Sequence, residues 1–331
     1  MKLRSLFQWF GFGALALLVF FARHRIWQAG GLIIHVRWYI LIVFLLIQLG
    51  SYWFNAKYYQ SFFNIFGYHV PTKVLYIRSL VVNFVNQAFP SGGISGTSYL
   101  SNSLKDYVPP GKTTLAQLMN YLFTVVSFLV VLSAGFLLLF LTGHLDQASV
   151  RVTLLFVLVI VVAVVVLLVI VADRKRVETV ASRIVDFVNA FCKKVFRRRN
   201  KLVSDAKLDR FLDEFYHGYN TFAEEKGHWR MPFLHSLGYN LTEVGTIYIV
   251  FVAFGSFVNP GAVVVAYTLA NLAGLASVFT NGAGVYEATM IATFVALGVP
   301  FKLALPVVIV YRVLNFALFL PIGYYYYRKT V

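Results

Sequence analysis

Residues 154–172 are nineteen consecutive apolar side chains without one polar interruption. About 20 residues of helix cross the hydrocarbon core of a bilayer, and a run of this length has no place on a soluble surface. The rest of the chain agrees: 59% of its 331 residues are apolar and 13% charged, against roughly 45–50% and about 25% in soluble domains. Apolar segments at 5–22, 33–54, 115–141, 232–256 and 303–327 read as further spans. Lys2 and Arg4 precede the first like the start of a signal peptide. Phe20, Phe21, Ala22 and Arg23 offer no small-residue cleavage site, so the segment reads as a retained helix.

Two regions do not read as simple spans. Residues 74–108 are apolar until Phe89, Pro90, Ser91, Gly92 and Gly93 and resume as a Ser-rich segment. Residues 263–299 are apolar to Phe279, break at Thr280, Asn281, Gly282, Ala283 and Gly284, and stop before Pro300. Each has two arms too short to cross, joined by Gly-rich backbone. Irregular backbone at membrane depth survives only when buried in protein or lining a wet cavity. Both regions therefore read as re-entrant helical hairpins. The expected fold is an all-α polytopic membrane protein of one domain, residues 1–331, with about six spanning helices and two hairpins. One hairpin enters from each face, the sequence form of an inverted repeat.

Charge supplies an orientation. The formal net charge is +16. Residues 173–230 hold 14 of the 29 Lys and Arg and 9 of the 13 Asp and Glu. With the N-terminus inside, Lys57, Lys73, Lys105, Lys112, this loop, Arg328 and Lys329 all fall on the cytoplasmic side, as the positive-inside rule requires. The expected location is the cell (plasma) membrane, multi-pass, with both termini and the loop cytoplasmic. Within the loop, Val177, Val180, Ile184, Val188, Phe191 and Val195 recur at helical spacing, as do Leu208, Phe211, Phe215, Tyr219 and Phe222. These are two amphipathic helices around the basic run 197–201. They read as lying on the membrane surface, with a docking site for a protein or nucleic acid as the alternative.

Outside that loop stand only four acids: Asp106, Asp146, Glu243 and Glu287. The last two lie in apolar segments, as does Arg312. A charge in a span costs roughly 2.5–3.5 kcal/mol on insertion scales and normally faces a partner or water. If the second hairpin returns beside the last span, Glu287 and Arg312 can pair. Glu243 can serve proton coupling, cargo contact, or as a structural partner of Arg312 or Arg78. Arg78 is expected to snorkel to the cytoplasmic face. Asn86, Asn281 and Asn315 can line one cavity or hold helices together. Ala270, Ala273, Gly274, Ala276 and Ser277 form a small-residue packing face. A dinucleotide fingerprint at 11–16 and a phosphate-loop echo at 111–113 fail on context. The single Cys192 and the spacing of the seven His give no metal site, and no catalytic motif or cofactor is implied.

The block Asn86, Gln87, Ala88, Phe89, Pro90, Ser91, Gly92, Gly93 resembles the first half-motif of the transmembrane region of lysylphosphatidylglycerol synthases, the flippase-like domain. The second block resembles it more specifically: Asn281 to Glu287 in a Gly-x-Gly-x-x-Glu pattern, then Leu297, Gly298 and Val299, then Tyr311 and Arg312. The likeness runs from about Trp9 to Tyr327. In the synthases an aminoacyl-transfer domain follows, and none is expected within residues 1–331; Ser91, Gly92 and Gly93 depart from the family's first motif.

The resemblance implies translocation (flipping) of an anionic or glycan- or aminoacyl-linked lipid between leaflets. Arg312, whose bidentate fork suits phosphate, would hold the headgroup with Glu287. Asn281, Gly282, Gly284, Glu243, Asn86, Pro90, Gly92 and Gly93 complete the expected substrate site. The opposing reading is a buried Glu287–Arg312 pair that only fixes the hairpin. Two other classes stay open: a membrane enzyme modifying a polyprenyl-phosphate carrier, and a non-transporting partner of a lipid synthase. Expected partners are membrane lipids and a cytosolic or membrane synthase, with no nucleic acid in the reading of the whole.

Overall fold

Among the described residues every regular element is a helix. The computed structural model describes residues 37–89, 93–142, 173–179, 182–183, 205–224, 227–276 and 284–330, with isolated residues between 158 and 169. The expected span at 5–22, almost all of 154–172, most of the first amphipathic stretch and the basic run 197–201 lie outside them.

The helices are α1 (Trp38–Ile65), α2 (Thr72–Ala88), α3 (Ile94–Ser103), α4 (Pro110–Leu141), α5 (Asp205–Glu224), α6 (Arg230–Ala253), α7 (Pro260–Ala276), α8 (Val285–Ala296) and α9 (Phe301–Thr330). Their order repeats. α1 to α4 have 28, 17, 10 and 32 residues; α6 to α9 have 24, 17, 12 and 30. Each half is a long helix, a pair of short ones, then a long helix. The contacts repeat too. α1 packs along its counterpart α6, α2 packs on α9, and α7 packs on α4. The first short arm of each half thus lies against the last long helix of the other.

Each interruption predicted from glycine and proline falls between two helical arms that pack on each other, α2 with α3 and α7 with α8. Each second arm begins at a glycine with positive φ: Gly93 at 90° before α3 and Gly284 at 89° before α8. An L side chain there would press its Cβ on the neighbouring carbonyl, which glycine avoids. α4 and α9 are long and apolar enough to cross a membrane. The outward face of α4 carries Leu137, Phe140 and Leu141, the last two 70% and 71% exposed. In water such a face would be an aggregation site; against lipid it is the solvated face. α9 contains Pro306 and Pro321, and α4 has proline only at its first position.

α1 runs eleven residues past the expected end at Phe54. The extension is held by Tyr58, Tyr59, Phe62 and Phe63, all 0–1% exposed, packed with residues of α2, α3, α4 and α5. α5 has the expected amphipathic pattern, but its apolar face covers protein. Leu212, Phe215 and Tyr216 are buried, Phe62 stacks on Phe222 at 5.2 Å, and Glu214 Oε2 accepts the Gly111 N–H in the first turn of α4 at 3.1 Å. The expectation of a helix lying on the membrane surface is corrected to that extent: the free N–H groups at the start of α4 give α5 an anchor.

Of the small-residue face expected on α7, Ala270 is buried in the core, Ala273 and Gly274 are half-buried, and Ala276 and Ser277 lie outside the residues whose side chains are described. α7 comes close to α4 at Gly261 and Gly135: a Cβ on Gly261 would stand 2.6 Å from the Gly135 carbonyl oxygen. The matching contact of α2 with α9 closes on Gly323, whose Cβ would stand 2.5 Å from that of Phe84. Gly261→Ala should therefore lower stability by about 1–3 kcal/mol through overpacking. Gly50→Ala, in α1 with nothing within 4 Å, should be neutral or gain up to about 1 kcal/mol from helix propensity. Thermal unfolding of the two variants in detergent checks the contrast.

Candidate functional site

A polar group inside a membrane protein must find a partner or wall a cavity. Here many wall one cavity, of about 490 Å³, lined by residues of α1, α2, α4, α6, α7, α8 and α9. Its 23 described lining residues include nine Asn or Gln, seven Tyr, one acid (Glu243) and one base (Arg312). The two halves contribute from matching positions. Arg312 lies 28 residues after Gly284, and Tyr121 lies 28 residues after Gly93. In the same register Asn120 matches Tyr311 and Thr124 matches Asn315, and all six line the cavity. Tyr121 is 36% exposed and marks a side on which the cavity is open.

Much of the wall is cross-linked. Asn120 Nδ2 donates to Tyr59 OH at 3.2 Å and Asn55 Oδ1 at 3.3 Å. Tyr59 OH donates to Gln117 Oε1 and Asn83 Nδ2 to Tyr52 OH, both in short contacts. Gln87 Nε2 donates to Asn83 Oδ1 at 2.8 Å.

Glu243, 5% exposed, joins three helices. Its Oε1 accepts from Gln48 Nε2 and Ser51 Oγ of α1, each at 2.7 Å. Its Oε2 accepts from Tyr311 OH of α9 at 3.2 Å. It forms no salt bridge with Arg312 or Arg78, so the structural partner expected for it is replaced by three neutral donors. Arg78 donates from Nη1 to Tyr99 OH at 3.2 Å, and Tyr99 OH bonds Thr330 Oγ1 at 2.8 Å. Arg78 is half-buried, with Nε buried, so this side chain runs through protein toward Tyr99 and the end of α9.

Arg312 and Glu287 do pair. Arg312 Nε donates to Glu287 Oε1 at 2.8 Å, with side chains 22% and 13% exposed. Glu287 Oε2 accepts the Gly284 N–H at 2.5 Å, the reach-back of an N3 carboxylate that is one half of a capping box; the glycine has no side chain to supply the other. One carboxyl thus holds both the turn glycine and the guanidinium. The guanidinium also lies 4.2 Å from the Tyr286 ring centroid and 5.4 Å from that of Phe316, a cation–π setting. Arg312 lines the cavity and Glu287 stands behind it. Among the described residues no acceptor takes the terminal nitrogens of Arg312.

The first hairpin achieves the same closure differently. Where α8 has Glu287 at its third position, α3 has Gly96. Asn86 of α2 fills that place: its Oδ1 accepts the Gly96 N–H at 2.8 Å and Ser95 Oγ at 3.4 Å. Asn86 also lines the cavity, as does Asn315. Of the expected site, Arg312, Glu243 and Asn86 therefore reach one cavity; Gly93 and Gly284 cap the starts of α3 and α8; Asn281, Gly282, Pro90 and Gly92 lie outside the described residues. Sequence reading missed Gln48, Tyr52, Asn55 and Tyr59 on α1, and Asn83 and Gln87 on α2. Their helical spacing within apolar segments, like that of Gln117, Asn120 and Thr124 on α4, was the available signal.

A family model for the lysylphosphatidylglycerol synthase TM region matches residues 8–323. A UPF0104 membrane protein of Methanocaldococcus jannaschii is 22% identical over 295 residues, 86% of this chain and 83% of that protein. A UPF0104 membrane protein of Methanothermobacter thermautotrophicus is 37% identical over 91 residues, 28% of this chain and 27% of its own. No solved structure matches the chain.

Two stability outcomes follow from the geometry. Glu243→Ala strands three buried donors and should cost about 3 kcal/mol, whereas Glu243→Gln keeps acceptor oxygen and should cost less. Gly96→Ala puts a Cβ 2.4 Å from Asn86 Oδ1 and should cost about 1–3 kcal/mol. Combining it with Asn86→Ala should cost less than the two single losses together. Thermal unfolding of all four backgrounds gives the comparison.

Proposed function

The chain belongs to the lysylphosphatidylglycerol synthase transmembrane-region family and is an integral membrane protein; from that premise we propose that it moves a lipid headgroup between leaflets through the cavity between its two hairpins. The carrying observation is a polar chamber walled from matching positions of two repeated halves and holding, among the described residues, one base that gives Nε to Glu287 and whose terminal nitrogens find no acceptor there. The lipid phosphate would sit at Arg312, with Glu287 fixing the fork and the turn backbone adding N–H donors. The acyl chains would stay in the surrounding lipid.

In this reading the repeat is inverted: six spans, with the first hairpin entering from the cytoplasm and the second from outside. The chamber then lies near the midplane, where inverted-repeat carriers place their sites. Contacts at one end of the molecule support the orientation. Lys57 Nζ lies 3.5 Å from Thr72 Oγ1, Lys112 Nζ 3.4 Å from Tyr68 OH, and Tyr99 bonds Thr330 beside Arg328 and Lys329. Basic residues of α1, α4 and α9 thus sit beside loops and helix ends assigned to the cytoplasmic side.

Two experiments bear on this. Vesicles reconstituted with the protein should move labelled anionic lipid between leaflets, and Arg312→Ala should lose at least about tenfold in rate, the worth of one charge-assisted contact. Glu287→Gln should lose part of the rate. Wild-type rates in both would remove the site assignment. Separately, the single Cys192 reports topology: a membrane-impermeant maleimide should leave it unlabelled in intact cells and label it after lysis.

A further inference from the structure

The walls of the cavity say more about the headgroup than its phosphate. Nine amides and seven phenols outnumber one acid and one base. Amide groups both donate and accept, and after their mutual bonds are made a remainder is left. Among the described residues Gln48 Oε1, Ser79 Oγ and Gln87 Oε1 are buried without a hydrogen-bond partner, and all three residues line the cavity. Gln48 is 2% and Ser79 1% exposed. Protein interiors satisfy the large majority of such atoms, and the cavity is the space from which a partner can reach these three.

The chemistry of the remainder is selective. Two of the three atoms are carbonyl oxygens, which need donors. An ionised phosphate diester brings only acceptors and meets Arg312, the one base. An ammonium brings donors, but the one carboxylate of the cavity already accepts from Gln48, Ser51 and Tyr311. Ser79 and Gln87 are also eight residues apart on α2, about 12 Å along the helix axis, too far for one point charge to serve both. Hydroxyls spread around a ring donate and accept at many points, matching a wall of amides. The volume of about 490 Å³ is in the range of small-molecule sites.

We propose that the cavity binds a polyhydroxylated headgroup, a sugar or cyclic polyol joined through phosphate to the lipid, with the phosphate at Arg312 and the hydroxyls on Gln48, Ser79 and Gln87. This deepens the transport reading and rests on it for the ligand being a lipid. Native mass spectrometry of the purified protein with lipids of identical acyl chains tests it. Phosphatidylinositol supplies the phosphate and a ring polyol, phosphatidic acid the phosphate alone, and lysylphosphatidylglycerol an ammonium. Phosphatidylinositol should bind at least about tenfold more tightly than phosphatidic acid, the worth of one or two hydrogen bonds. The Ser79→Ala/Gln87→Met double variant should lose that advantage and keep its affinity for phosphatidic acid. Ser79→Ala alone removes a hydroxyl with no protein partner, so it should fold as the parent does and lose part of the advantage.

Equal binding of phosphatidylinositol and phosphatidic acid, stronger binding of lysylphosphatidylglycerol, or a preference unchanged in Ser79→Ala and the double variant would overturn the assignment. The leaflet assay separates the two readings. Headgroup preference without movement refutes transport and supports the polyol site; movement without preference refutes the polyol site alone.

Discussion

The carboxyl of Glu243 is the crossing point of the structure. It belongs to α6, and its two oxygens collect donors from α1 and α9, so one side chain ties the equivalent helices of the two halves to the helix that carries Arg312. In a medium that cannot solvate polar groups, three neutral donors around one carboxyl are a strong geometric constraint. The packing of α1 along α6 is fixed nearby by Gly238, whose Cβ would stand 2.5 Å from the Phe54 ring. Tyr311 is placed by Glu243, and Arg312 is its neighbour in sequence. The position of the guanidinium in the cavity therefore depends on a network that begins on another helix.

The two hairpins show one mechanical task solved with different chemistry. Each second arm must start from a positive-φ glycine and have its first N–H groups satisfied away from water. In the second hairpin a carboxylate within the arm does this and takes Arg312 as counter-ion. In the first, a neutral amide from the opposite arm does it, and the position matching Arg312 is Tyr121. A cap from the opposite arm needs no side chain at Gly96 and no compensating cation. The departure of the first half from the charged motif is thus structurally self-consistent, and it leaves all formal positive charge of the cavity on one half.

The fold class was legible because apolar run length and Gly–Pro breaks are local signals. Residues 74–108 and 263–299 announced their turns, and α4 and α9 announced themselves by hydropathy. The Glu287–Arg312 pair was legible because charge is scarce in this chain. The end of α1 was not, because Tyr58, Tyr59, Phe62 and Phe63 are buried against α4 and α5, residues distant in sequence. The partners of Glu243 were not, because its donors are neutral and lie 195, 192 and 68 residues away; scarcity of charge points only to charged partners. Most of the neutral wall of the cavity, on α1 and α2, was missed for the same reason. Single Asn, Gln and Tyr residues look like helix-packing bonds until the fold brings them to one wall.

The prolines of α9 set its stiffness. Pro306 and Pro321 each remove one rung of the backbone ladder, and Tyr311, Arg312 and Asn315 all lie on the segment between them. α4, which offers Asn120, Tyr121 and Thr124 to the opposite wall, keeps an uninterrupted ladder after its first turn. One wall of the chamber is therefore mounted on a rigid rod. The other is mounted on a short strut with a compliant joint at each end, and that strut carries the charge.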